Sequence, residues 1–96
     1  MYYYKFDIGK WIKRTHYLLP EEEAIYFRLI NYYYDTEKPI PLDLRLVCRR
    51  LRLEAYWEQM QGIINEYFEE TPDGYKNEKC DRILAEYHKK AATNRV

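Results

Sequence analysis

The sequence predicts a mainly α fold with a small β-hairpin (α+β), arranged as a winged helix-turn-helix, and three observations carry that prediction. Apolar residues recur at helical spacing over 20–35, 44–51 and 54–68. The second and third of these stretches are separated by only about three residues, as in a helix-turn-helix. Beyond them Thr71-Pro72-Asp73-Gly74 is a turn sequence between two short alternating segments, in which Pro72 presets φ and Gly74 closes the turn.

The elements follow in order. Residues 2–8, Tyr-Tyr-Tyr-Lys-Phe-Asp-Ile, are aromatic and β-prone and predict a short first strand ending at Gly9. Residues 10–19 predict one or two irregular helical turns, with Trp11 and Ile12 packing and Lys10, Lys13 and Arg14 exposed. Pro20 opens the clearest helix, because proline suits a first helical turn and Glu21, Glu22 and Glu23 set negative charge against the positive end of the helix dipole. Its expected apolar face is Ala24, Phe27, Ile30 and Tyr34, flanked by Tyr26, Leu29 and Tyr33, and it ends near Asp35. Two prolines in Thr-Glu-Lys-Pro-Ile-Pro exclude a helix interior and predict an extended connector.

Asp43 is the expected N-cap of the next, short helix, which buries Leu44, Val47, Cys48 and Leu51, with Leu42 placed to staple against Val47. The third helix buries Trp57, Met60, Ile64 and Tyr67, widened by Tyr56 and Ile63. After the hairpin, a last helix from about Glu78 runs through Cys80, Ile83, Leu84, Tyr87 and Ala91, with Glu86 and Lys90 spaced for an i,i+4 pair. Residues 1–92 are thus expected to form one domain, with 93–96 as a frayed tail, since a chain of 96 residues has room for a single core.

Composition narrows the function. Sixteen basic and sixteen acidic residues cancel, so no global field draws the chain to a polyanion, but residues 1–52 hold ten Lys/Arg against seven Asp/Glu and residues 53–96 hold six against nine. Any polyanion is expected to meet the first half. Cys48 and Cys80 lack metal or disulfide spacing and read as buried small hydrophobes. No secretory signal or membrane-spanning run occurs, so a cytoplasmic location and no membrane partner are expected. His16 and His88 have no ligand neighbours, and the glycines at 9, 62 and 74 form no phosphate loop. No enzyme activity, metal or cofactor is therefore expected.

The run Tyr3-Tyr4-x-Phe6-x-Ile8-Gly9, then His16-x-Leu18-x-Pro20-Glu21-Glu22, then Leu29 and Tyr33 through Asp43, resembles the prophage YdaU-like family. The resemblance continues through Arg49-Arg50-Leu51-Arg52-Leu53, Phe68-Glu69, Asp73-Gly74-Tyr75 and Asn77-x-Lys79-Cys80-Asp81, covering nearly the whole chain. It implies a phage or prophage origin, commonly in a replication region, a bacterial host cell, and a winged-helix fold similar to replication-initiator and helicase-loader domains. Leu19 departs from the Ser or Thr common before Pro-Glu-Glu in that family, which costs the helix start roughly 1 kcal/mol.

Two functions are set against each other. In the first, a winged helix acts on DNA in phage replication initiation or its regulation. Arg45, Arg49, Arg50 and Arg52 form its phosphate-contacting cluster, extended by Lys13, Arg14, Lys76 and Lys79 if the first turns and the wing fold alongside. The exposed side of the third helix reads Glu58, Gln59, Gln61, Gly62, Asn65 and Glu66, of which Gln59, Gln61 and Asn65 suit adenine edges. In the second, the same fold is a protein-interaction adaptor recruiting or inhibiting a phage or host replication protein, or forming a homodimer. The carboxylates on the third helix favour that reading, and the plainer reading of the arginines is a solvated face paired with Glu54 or Glu58.

Overall fold

A computed structural model describes residues 1 and 3–93. Ile8–Thr15 form α1 and Pro20–Thr36 form α2; α3 (Leu44–Arg50) and a single 3-10 turn (Glu54–Tyr56) lead into α4 (Trp57–Tyr67). Strands β1 (Glu69–Thr71) and β2 (Gly74–Lys76) make an antiparallel hairpin with Glu70 opposite Tyr75, and α5 (Glu78–Thr93) closes the order. The fold is mostly helical with one two-stranded hairpin, and none of the described helices is long and apolar enough to cross a membrane.

No strand forms over residues 3–7, contrary to the sequence expectation; Tyr2 lies outside the described residues. The Asp7 carboxylate accepts from the Lys10 amide at 3.0 Å and caps α1 one residue later, so Gly9 sits in a first helical turn. The aromatic residues of this segment pack on α2 instead of pairing in a sheet: Tyr4 lies 4.3 Å from Tyr34, ring to ring, and Phe6 meets Phe27 edge-on. Ile12, expected to pack, is 55% exposed, whereas Arg14, expected outside, is half-buried with its carbonyl accepting from the Tyr67 hydroxyl at 3.0 Å.

Helix α2 is the centre of the molecule and packs against both α4 and α5. Its buried face is Ile25, Tyr26, Leu29, Ile30, Tyr33 and Tyr34, while Ala24 and Phe27, expected inside, are exposed. The face is rotated from the expected one because neighbours lie on several sides, which lets consecutive Tyr33 and Tyr34 both be buried. These join Val47, Cys48, Met60, Ile63, Ile64, Cys80 and Leu84 in one core cluster. Tyr26 is stacked on both sides: Trp11 lies 5.2 Å away at 6° and Tyr67 4.0 Å away at 21°, tying α1 and α4 to α2. Aromatic pairs of this kind contribute about 1 kcal/mol each beyond area burial.

The connector after α2 is extended, and Ile40 forms an antiparallel bridge with Tyr75, each amide donating to the other's carbonyl at 2.9 and 2.7 Å. Asp43 caps α3, accepting from Leu46 N–H at 3.2 Å, while Leu42, expected to staple against Val47, is 48% exposed. Arg52, in the turn between α3 and α4, holds a left-handed φ of 60°. Tyr56 is exposed and does not widen the α4 stripe. In α5 only Cys80 and Leu84 are fully buried; Ala91 is exposed, and Glu86 and Lys90 make no ion pair among the described residues. The helix includes Thr93, and the rest of the expected tail, 94–96, lies outside the described residues.

Candidate nucleic-acid interface

Three of the four arginines of the 45–52 cluster, two on α3 and Arg52 in the turn after it, meet different parts of the molecule. The Arg45 guanidinium lies 3.7 Å above the centroid of the Trp57 ring, a cation–π contact that faces α4. Arg50 donates to the Tyr32 hydroxyl at 3.1 Å, facing α2, and the Leu51 carbonyl beyond it accepts from Arg28 at 2.9 Å. Arg52 lines a shallow cavity of about 240 Å³ with Glu21, Arg28 and Tyr56. Arg49 is exposed and shows no side-chain hydrogen bond or ion pair among the described residues. Among the same residues no ion pair joins any of these arginines to Glu54 or Glu58, so their charges are not neutralised in the way the plainer reading expects.

A second basic group gathers elsewhere. Lys10, Arg14 and Lys79 line one cavity, and Arg14, Lys76 and Lys79 line an adjoining one together with Glu66, Glu69 and Glu78. Partial burial, and then the neighbouring Arg14 and Lys10 charges, pull the Lys79 ammonium below the ordinary lysine range. Lys13 is exposed and lines neither cavity. The α2 residues that touch the N-terminal segment are Glu23, Tyr26, Phe27, Asn31 and Tyr34; those that touch α3 and its following turn are Arg28 and Tyr32. At 100° per residue these two sets point roughly 140° apart. The structure therefore brings Arg14, Lys76 and Lys79 together, but on a different side of α2 from Arg45, Arg49, Arg50 and Arg52.

Gln59, Gln61 and Asn65 are all exposed on α4. Met60, Ile63 and Ile64 fix its buried side, and the helical period then sets Glu58 and Gly62 at the middle of the outer face. Gln61 and Asn65 lie along one edge of that face, and Gln59 with Glu66 along the other. Around Gly62 no atom comes within 4 Å of where a Cβ would stand. Exposed Glu69, Glu70 and Asp73 continue the acidic character onto the hairpin.

Sequence reasoning passed over two features beside the second basic group and a third at the end of α4. One is Lys10, one helical turn before Arg14 and therefore on its face. The other is Asn77, whose side chain accepts from Cys80 N–H at 2.9 Å and so caps α5, and whose amide also donates to the Tyr67 carbonyl at 3.0 Å. Asn before Glu78 is an N-cap signal legible without coordinates. Tyr17 also escaped notice: its hydroxyl donates to Glu66 at 2.6 Å, holding the chain after α1 against the end of α4.

A mostly helical protein with one hairpin, two separate basic groups and an acid-and-amide outer helix is the class these features define. The chain belongs to the family described as protein of unknown function (DUF1376), whose model it matches over residues 2–85. No curated protein and no solved structure matches it.

Proposed function

We propose that this is a phage- or prophage-encoded winged-helix protein of the bacterial cytoplasm, associated with DNA in replication initiation or its regulation. The single observation that supports it is the element order. Helix α2, the extended Ile40 paired to Tyr75, α3, α4 and the β1–β2 hairpin follow one another as helix, short strand, helix-turn-helix and wing. Association runs through phosphates, with Arg49 and Arg50 as the leading contacts on one side and Arg14, Lys76 and Lys79 on the other. Base reading through Gln59, Gln61 and Asn65 is opposed by Glu58 and Glu66 beside them.

Fluorescence anisotropy against duplex and single-stranded DNA at two salt concentrations tests this reading. Affinity is expected to fall with salt, and Arg49→Ala/Arg50→Ala to lower the salt slope by roughly 0.9 for each duplex phosphate that these side chains neutralise. Binding with no salt dependence, or none at all, discards it. A second reading, a protein-interaction adaptor or homodimer, is favoured by the acidic outer face of α4 and the open approach at Gly62. It requires that Glu58→Arg, at the middle of that outer face, disrupt a stable protein complex or dimer in sedimentation, while leaving the fold intact.

A further inference from the structure

Between residues 4–7 and the packed faces of α2 and α5 lies a cavity of about 210 Å³. Its walls are apolar, made by Phe6, Trp11, Tyr26, Ile30, Tyr34 and Ile83. Lys10 and Arg14 from α1 and Lys79 from α5 bring positive charge to the same space. Asp7 is the carboxylate among its lining residues, and its side chain is already engaged by the Lys10 amide. Lys79 is destabilised as an ammonium first by burial and then by Arg14 and Lys10. Like charges gathered in this way with little compensation favour an anion between them.

The apolar walls decide what the anion carries. Much of their polar capacity is spent: the Tyr4 hydroxyl donates to Asn31, Asn77 is held by Cys80 N–H and the Tyr67 carbonyl, and the Trp11 indole donates to Glu23. The deeply buried Tyr26 and Tyr34 hydroxyls and the Cys80 thiol remain, too few to match the several polar edges of a base or sugar. We propose that this cavity binds a small amphipathic anion, its apolar ring or chain among Trp11, Tyr26, Ile30 and Ile83 and its carboxylate or phosphate on Lys10, Arg14 and Lys79. This goes beyond the DNA reading: the cavity shares Arg14 and Lys79 with it but not Arg49 and Arg50, so the Arg49→Ala/Arg50→Ala variant that tests DNA association leaves anion binding here unchanged.

The test is an amide and indole N–H NMR titration of the full chain with 3-phenylpropionate and with phenyl phosphate, against neutral 3-phenylpropanol and inorganic phosphate. The two organic anions distinguish the head groups. Saturable shifts of the Trp11 indole and Cys80 amide signals are expected with at least one of them. The neutral alcohol and the Lys10→Gln/Lys79→Gln variant should each bind roughly tenfold more weakly, the loss expected for one charge-assisted hydrogen bond. Ile83→Phe, which fills the cavity from its wall, should abolish the shifts while circular dichroism stays unchanged. No saturation by about 5 mM of either anionic probe overturns the proposal. So does equal affinity for the alcohol, which would leave an apolar cavity only, or equal affinity for inorganic phosphate, which would leave an ion site only.

Discussion

A methyl group on Gly74 would stand 2.5 Å from the Ile40 carbonyl oxygen and 3.0 Å from Pro39 Cβ, and the residue holds φ at +132°. That conformation and that proximity are what allow Tyr75 and Ile40 to exchange hydrogen bonds. Gly74→Ala is therefore expected to cost about 3 kcal/mol of stability in urea unfolding, from left-handed strain plus displacement of the connector. A loss under about 1 kcal/mol would mean that the connector moves freely and that the bridge is weak. The turn at this glycine was legible in Thr-Pro-Asp-Gly. Its second role was not, because only the fold brings residue 40 against residue 74.

At the scale of elements the sequence was most legible where a local device acts. Pro20 with three glutamates, Asp43 three residues before Leu46, and the Pro-Asp-Gly turn each act within one helical turn or hairpin, and each begins or ends an element as expected. The first segment departs from expectation because its aromatic alternation suits a sheet, whereas the Asp7 cap and the α2 surface decide its path. Helix α2 begins with a device half in place: the Glu22 carboxylate accepts from Leu19 N–H at 2.8 Å, but Leu19 offers no acceptor in return. Leu19→Ser completes the box and is expected to stabilise the protein by about 1 kcal/mol in thermal unfolding. Gly62 lies in α4 with open space around its Cβ position, so Gly62→Ala is expected to add up to about 1 kcal/mol. If the outer face of α4 receives a partner closely, the same variant becomes more stable and binds less well, which separates the adaptor reading from the DNA reading.

Over the whole molecule, the distribution of charge was the least legible property. Four arginines within eight residues read as one ridge along the chain, yet Trp57, Tyr32 and the first turn of α2 draw three of them apart, and those partners are distant in sequence. The tyrosines show the opposite case, since twelve of them among 96 residues point, from the sequence alone, to large buried rings whose hydroxyls can reach a partner. Burial is the leading cause that raises the pKa of Tyr4, Tyr26, Tyr33, Tyr34, Tyr67 and Tyr75. At Tyr33 the hydroxyl also donates to Asp81 at 2.6 Å, which further favours the protonated form. A group whose pKa is higher folded than unfolded contributes stability fully below its unfolded value, roughly 10 for tyrosine, and loses it as pH rises beyond. The native state is thus expected to weaken progressively above that pH, with tyrosinate absorbance from these six residues emerging together with loss of helical circular dichroism. Tyr33→Phe removes one ionisable group from the centre of that network and should reduce the steepness of the alkaline transition, although it costs about 1–3 kcal/mol at neutral pH by leaving Asp81 and the Asn77 amide without their partner. Tyrosinate absorbance rising at its ordinary pH while the helices persist would show that water reaches these hydroxyls, and that the aromatic core is looser than its packing implies.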